Sequence, residues 1–254
     1  MALIKSKEEI VLLREGGKRL AQVLECVAAA VQPGVTGLEL DALALRLIRE
    51  GGDEPAFLDY QPKGAKIAFP ATLCVSVNNA IVHGIPTDVP LAMGDIVGLD
   101  LGLRHRGLFV DMAVTVPVGP VSMEVAMLVN VTREALEGGI QAVRAGARMG
   151  DVGEAIQAYA TPHQYGIVRE LGGHGVGHEI HEEPYVPNYG KAGTGPKLMA
   201  GMVLALEPMF NLGGDAIKLG RDKFTYETRD GTWSAHFEKT VLVTENGAEV
   251  LTTL

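Results

Sequence analysis

Along the start of the chain, apolar residues recur with a helical period. Ile10, Leu13, Leu20, Val23, Leu24 and Val27 fall on one side of a helix drawn over 7–31, and Pro33-Gly34 ends it. Thr36-Gly-Leu-Glu39 has the form of a capping box and predicts a second helix that stops near Gly51-Gly52. Between 54 and 118 the period changes to two. Apolar, β-branched runs at 73–77, 96–101 and 108–116, separated by Gly, Pro and Asn, predict strands. Helical spacing returns over 121–145, a shorter helix is predicted over 151–160, and strands follow at 202–206, 224–228 and 236–243. Helices and then strands, read twice, predict an α+β fold with helices on one face of an antiparallel sheet. The expected organisation is one domain over 1–254, with similar halves of about 1–120 and 121–254.

The alternating runs around Arg104-His-Arg-Gly107 predict a tight hairpin. If Arg104 pairs with Gly107, Asp100 faces Asp111 directly, with Cβ atoms ~4.5–5.5 Å apart, an arrangement that like charges disfavour. Leu99, Leu101, Val110 and Met112 make the strands apolar, so the two carboxylates call for a cation or a shared proton unless the hairpin is half exposed and each is solvated. No Asp-Thr-Gly or Asp-Ser-Gly surrounds either residue, which argues against an aspartic-peptidase dyad.

Composition narrows the choice. At 254 residues and 47% hydrophobic content the chain can bury a sizeable core. A net charge of −9 disfavours sequence-independent attraction to nucleic-acid phosphates. Cys26 and Cys74 are the two cysteines, too few for a disulfide framework or a four-cysteine zinc site. Charges interrupt every apolar run of the first twenty residues, and no stretch has the ~20 apolar residues of a membrane span, so a cytoplasmic location is expected.

Three of the seven histidines, His174, His178 and His181, lie within eight positions. Glycines around His174 argue against a helix, and His-Glu-Ile-His is one residue short of HExxH, so a helical zinc site is rejected. An extended or looped segment presenting His174 and His181 is expected, with His178 the least functional of the three. Glu207 ends an apolar run and Glu238 lies inside another, unfavourable places for a lone carboxylate. Lys239 cannot pair with Glu238 directly, because adjacent strand residues point to opposite faces. Asp100, Asp111, Glu207 and Glu238 carry four negative charges, which two divalent cations would neutralise. With His174 they form a donor set suited to Mn, Fe, Co or Zn in a two-metal hydrolase.

Five stretches, taken in order, carry a family resemblance: Val75-Ser-Val-Asn-Asn-Ala-Ile-Val-His83-Gly-Ile-Pro86; Gly94-Asp-Ile-Val-Gly-Leu-Asp100 with Asp111 eleven later; Gly173-His174-Gly-Val-Gly with His181-Glu-Glu-Pro; Leu206-Glu207-Pro208-Met; and Phe237-Glu238. Over nearly its whole length the chain resembles the type I methionine aminopeptidases of the short bacterial form. The resemblance implies their pita-bread fold, in which two pseudo-symmetric halves share a curved antiparallel sheet covered by helices. It implies release of N-terminal methionine from peptides and nascent chains, with a small second residue preferred, by water that two divalent ions activate. Asp100, Asp111, His174, Glu207 and Glu238 then take the ligand roles and Glu207 shuttles a proton. His83 contacts the scissile amide and His181 stabilises the tetrahedral intermediate. Phe69, Cys74, Ile180 and Phe224, with Tyr60 nearby, would line the methionine pocket.

The chain also departs from the family pattern. Residues 57–69 are longer, Ile180 and Phe224 replace larger aromatics, His178 replaces an arginine, and Lys239 replaces a frequent histidine. A monomer that meets the ribosome transiently, without membrane or specific nucleic-acid partners, is the implied setting, and the leading Met1-Ala2 fits its own specificity. The alternatives are an Xaa-Pro aminopeptidase or prolidase, whose members carry a further N-terminal domain, and a catalytically silent binding protein, whose members lose ligands.

Overall fold

The two helices at the start of the chain begin where their caps predict. The computed structural model, which describes residues 3–61 and 67–254, opens with α1 at Lys7–Ala29 and α2 at Gly37–Glu50. Ser6 Oγ accepts the Glu9 amide while Glu9 returns a carboxylate to the Ser6 amide, and Thr36 and Glu39 repeat this exchange for α2, so two of the free N–H groups at each helix start are satisfied. Both Met1-Ala2 and positions 62–66 of the 57–69 segment lie outside the described residues.

The strands of the first part are β1 (Glu54–Pro55), β2 (Leu73–Val77), β3 (Ala80–Val82), β4 (Ile96–His105) and β5 (Leu108–Pro117). Helices α3 (Met123–Ala142) and α4 (Met149–Ala160) follow. Next come β6 (Gly166–Ile167), β7 (Gly173–Gly175), β8 (Glu182–Val186), β9 (Val203–Leu206) and β10 (Met209–Asn211). The chain ends with β11 (Ile217–Leu219), β12 (Tyr226–Thr228), β13 (Ser234–His236), β14 (Glu238–Val243) and β15 (Ala248–Val250). Nine strands form a curved antiparallel sheet in the order β1-β4-β5-β14-β9-β7-β8, with β2 beside β4 and β15 beside β14. Strands β13-β10-β6 and β11-β12-β3 make two smaller sheets.

One core packs Leu13, Leu20 and Leu24 of α1 and Ile48 of α2 against Leu99, Leu101 and Val110 of the β4–β5 hairpin. A second packs Leu128 and Ala135 of α3 and Ile156 of α4 against Leu204, Leu206 and Val241. No helix among the described residues is long and apolar enough to cross a membrane.

Three expectations are corrected. The β4–β5 turn is Arg106-Gly107, both with positive φ (48° and 91°), so His105 pairs with Leu108 and the register is one pair further on than expected. Glycine takes the left-handed conformation readily, and His105 is held in β4 because its Nδ1 lies 2.7 Å from Asp53 Oδ1. Asp100 therefore faces Ala113, and Asp111 faces Gly102. The strand expected over 236–243 is broken at Phe237, where the chain passes from a small sheet to the large one. Finally, the strand expected from 224 begins at Tyr226, because the Asp222 carboxylate takes the Phe224 and Thr225 amides, each at 2.9 Å, into a turn.

Candidate active site

The register of the large sheet sends five of the expected residues to one face. Ala113 of β5 pairs with Asp100 on one side and with Glu238 of β14 on the other, so these carboxylates flank it in a row. Asp111 lies two residues before Ala113 and shares its face. On β14, Thr240 pairs with Ala205 of β9, which pairs with His174 of β7. Glu207, two residues past Ala205, completes the set. Lys239 takes the opposite face, where its Nζ donates to the Thr252 carbonyl at 2.6 Å.

Asp111 is fixed through its backbone: Thr240 Oγ1 accepts its N–H at 3.0 Å and donates to its carbonyl at 2.8 Å. The donor atoms of Asp100, Asp111 and Glu238 all lie within 4.8 Å of one another, as do those of His174, Glu207 and Glu238. Asp111 and His174 also form such a group with His181.

The electrostatics are those of an acid cluster without a counter-charge. Burial, then the neighbouring carboxylates, raises Asp100 and Glu238 well above the usual carboxylate range. Burial lifts Asp111 to about 7, and burial with the Asp111 charge lifts Glu207 to about 8. Among the described residues, no lysine or arginine lines the cavity over these acids. Asp100 Oδ1 and Glu238 Oε1 are buried without a hydrogen-bond partner, which costs about 1–3 kcal/mol for a neutral group and more for a charged one. Hard oxygen donors with one imidazole, gathered around a common centre with two of the oxygens unpartnered, fit divalent cations.

The cavity above the acids has a volume of about 100 Å³. Phe69 and Phe224 meet edge to face in its wall, 5.4 Å between centroids, and Cys74, opposite Asp100 in the β2–β4 register, also lines it. The Cys74 thiol is pushed up, first by burial and then by the acids. Tyr60 Oη lies 3.0 Å from His181 Nδ1. His83 stands just past β3 with φ at 58°, a strained setting for a residue with a side chain, its ring edge-on to Tyr226 at 5.9 Å. Burial lowers both His83 and His181 to about 4, so both rings are neutral at physiological pH.

Ile180 lies behind this wall. It is 2% exposed and packs toward Gly102, where a Cβ would sit 3.2 Å from its Cδ1. His178 is likewise outside the cavity, with Nε2 2.6 Å from Glu9 Oε1. The sequence reading missed two residues. Phe57 lines the cavity, and its aromatic character near Tyr60 and Phe69 was the available signal. His236 is buried with Nε2 unpartnered, 3.8 Å from Glu207 Oε2; its place in an apolar run beside Glu238 was a signal of the same kind as the acids gave.

Comparison with known proteins agrees with this geometry. Residues 11–245 match the model of metallopeptidase family M24. The chain is 43% identical over 252 residues to the methionine aminopeptidase of Clostridium perfringens, covering 99% of each chain. It is 40% identical to methionine aminopeptidase 1 of Bacillus subtilis, also over 99% of each. It superposes on the crystal structure of methionine aminopeptidase from Rickettsia prowazekii with a TM-score of 0.94 at 39% identity, covering 98% of this chain and 99% of that one. A sheet face that gathers acids without a cation, matched over the full length by these relatives, leaves one conclusion: the chain belongs to metallopeptidase family M24, among its methionine aminopeptidases, and has their pita-bread fold.

Proposed function

We propose that the chain hydrolyses the bond after an N-terminal methionine in peptides and nascent polypeptides, using two divalent ions held by Asp100, Asp111, His174, Glu207 and Glu238. The observation that carries this reading is the enclosure of four carboxylates, with no lysine or arginine among them in the described residues, beneath a small cavity with aromatic walls. Two ions balance the four negative charges, and when bound they would polarise the scissile carbonyl and lower the pKa of water enough for attack near neutral pH.

The chain's own groups do the rest. Glu207, its carboxylate 3.6 Å from His174 Nε2, takes the proton of the attacking water and returns it to the leaving amine. Tyr60 occupies Nδ1 of His181, leaving Nε2 to donate toward the carbonyl oxygen as its charge grows. His83 contacts the scissile amide from the other side.

Phe57, Phe69 and Phe224 give an unbranched thioether aromatic edges to lie against. Gly, Ala or Ser as the second residue is the preference that the likeness to methionine aminopeptidases implies. The donor set admits Mn, Fe, Co or Zn.

The test is a methionine-release assay on metal-free protein titrated with Mn²⁺ or Co²⁺. Release from Met-Ala-Ser should rise up to two equivalents of metal, and a bulky second residue should lower it. Cleavage confined to Xaa-Pro peptides, or no release at any metal content, overturns the proposal.

A further inference from the structure

Lys5 precedes α1 in a segment near the start of the chain, where long charged side chains are usually solvated, yet its side chain is 1% exposed. Enclosing an ammonium costs several kcal/mol unless it is closely paired. Its partner is Glu182, at 2.6 Å and itself 8% exposed. The other oxygen of Glu182 accepts the amide hydrogens of His178 and of Glu179, the latter at 2.9 Å. One carboxylate thus connects the first segment of the chain to two peptide groups in the loop 177–182.

The lysine stem crosses Gly177, where φ is +144° and a Cβ would collide with Lys5 Cε. His178 Nδ1 lies 3.3 Å from Lys5 Nζ. An ammonium only donates, so Nδ1 accepts and Nε2–H donates to Glu9 Oε1 at 2.6 Å. The segment itself is fixed, because Lys5 N donates to the Gly201 carbonyl at 2.9 Å.

His181 sits between the two anchors of this loop. Ile180, on one side, is wedged beneath the cavity wall toward Gly102; Glu182, on the other, is locked to Lys5. We infer that Lys5 is a positioning residue: through Glu182 it fixes the loop 177–182 and aims the His181 ring at the scissile carbonyl. The inference rests on the peptidase reading given above.

The test measures methionine release from Met-Ala-Ser by the full-length, metal-loaded protein and its variants, with metal content and thermal stability alongside. Lys5→Met keeps most of the stem volume and removes the charge. Its kcat should fall by about tenfold or more, with KM within about threefold and metal content unchanged, because a small misplacement of a reacting group is costly in turnover. In a His181→Ala background the same change should lower kcat by less than about twofold, since no ring remains to be aimed. Lys5→Arg, which keeps the charge, should recover part of the loss.

A purely structural lysine predicts that the two losses multiply in full. That result, or wild-type kcat in Lys5→Met, overturns the inference. If Lys5→Met does not fold, Glu182→Gln breaks the same pair from the other side and enters the same cycle. Absence of methionine release by the wild-type protein would remove the peptidase reading and this inference with it, whereas full additivity in an active enzyme removes the inference alone.

Discussion

Two groups of buried acids lie along strand β4, and the chain treats them in opposite ways. At its turn end, Asp53 is 4% exposed and comes with its own partners: Arg19 Nη1 at 3.4 Å and His105 Nδ1 at 2.7 Å. Glu15 lies 3.2 Å from the other ring nitrogen of His105. In the middle of the same strand, Asp100 meets Asp111, Glu207 and Glu238, and no lysine or arginine lines the space between them among the described residues. The chain can place a cation beside a buried acid; here the described residues place none. The first cluster contributes to folding by itself. The second stores desolvation and repulsion that the divalent cations of the proposed function would relieve, which would link metal binding to stability at this centre.

The largest expected effect follows from removing one charge at the uncompensated cluster. Asp111→Asn should lower metal affinity by at least about 100-fold, the upper end of what losing an outer partner of a ligand costs, and should abolish methionine release. In the metal-free state near pH 8, however, it should raise the melting temperature, because one member of a repelling set is gone. Calorimetric metal titration and thermal melts of the same samples check both halves. A variant that binds metal normally, or whose metal-free form is less stable than wild type, breaks the contrast.

A smaller effect appears without mutation. With Asp111 raised to about 7 and Glu207 to about 8, from ordinary values of 3.8 and 4.5, the metal-free folded state holds protons that the unfolded chain has released. Stability then falls as pH rises, over a window from about 4 to about 8. Metal binding requires the ionised carboxylates and is favoured over the same interval. Melting temperatures with chelator should decline from pH 5 to pH 8, and the gap to the Mn²⁺-loaded protein should widen. Parallel curves would mean that the acids are not coupled to the metal.

This contrast also explains what was legible in the sequence. Asp100, Asp111, Glu207 and Glu238 were readable because a carboxylate inside an apolar strand is a local anomaly, and the helix starts were readable because a capping box is contained in four residues. The hairpin register was not, since it turns on whether His105 belongs to the strand, and that is decided by Asp53, 52 positions away. Lys5 gave no signal for the same reason: its partner Glu182 is 177 positions distant. Ile180 occupies a position that resemblance assigns to the pocket, yet it packs beneath the wall, a difference that depends on the Gly102 backbone opposite. Phe57 stood in a segment with no periodicity to mark which side chains turn inward.

The smallest effects belong to the compensated cluster, where they separate a partner that matters from one that is merely near. Asp53→Asn takes the anion from Arg19 and from the Nδ1 side of the buried His105 ring and should cost about 1–3 kcal/mol of stability, equally with and without metal. Arg19→Leu should cost under about 1 kcal/mol. The arginine is 43% exposed and its nitrogen is 3.4 Å from the carboxylate, so solvent already screens much of the attraction, and His105, at 2.7 Å and 5% exposed, keeps Asp53 paired after the arginine is gone. Denaturant unfolding of both variants, each with and without Mn²⁺, measures the difference. If Arg19→Leu proved as costly as Asp53→Asn, the arginine would be the essential counter-charge. If either loss depended on metal, the two ends of β4 would form one electrostatic unit, and the separation between folding acids and metal-holding acids would fail.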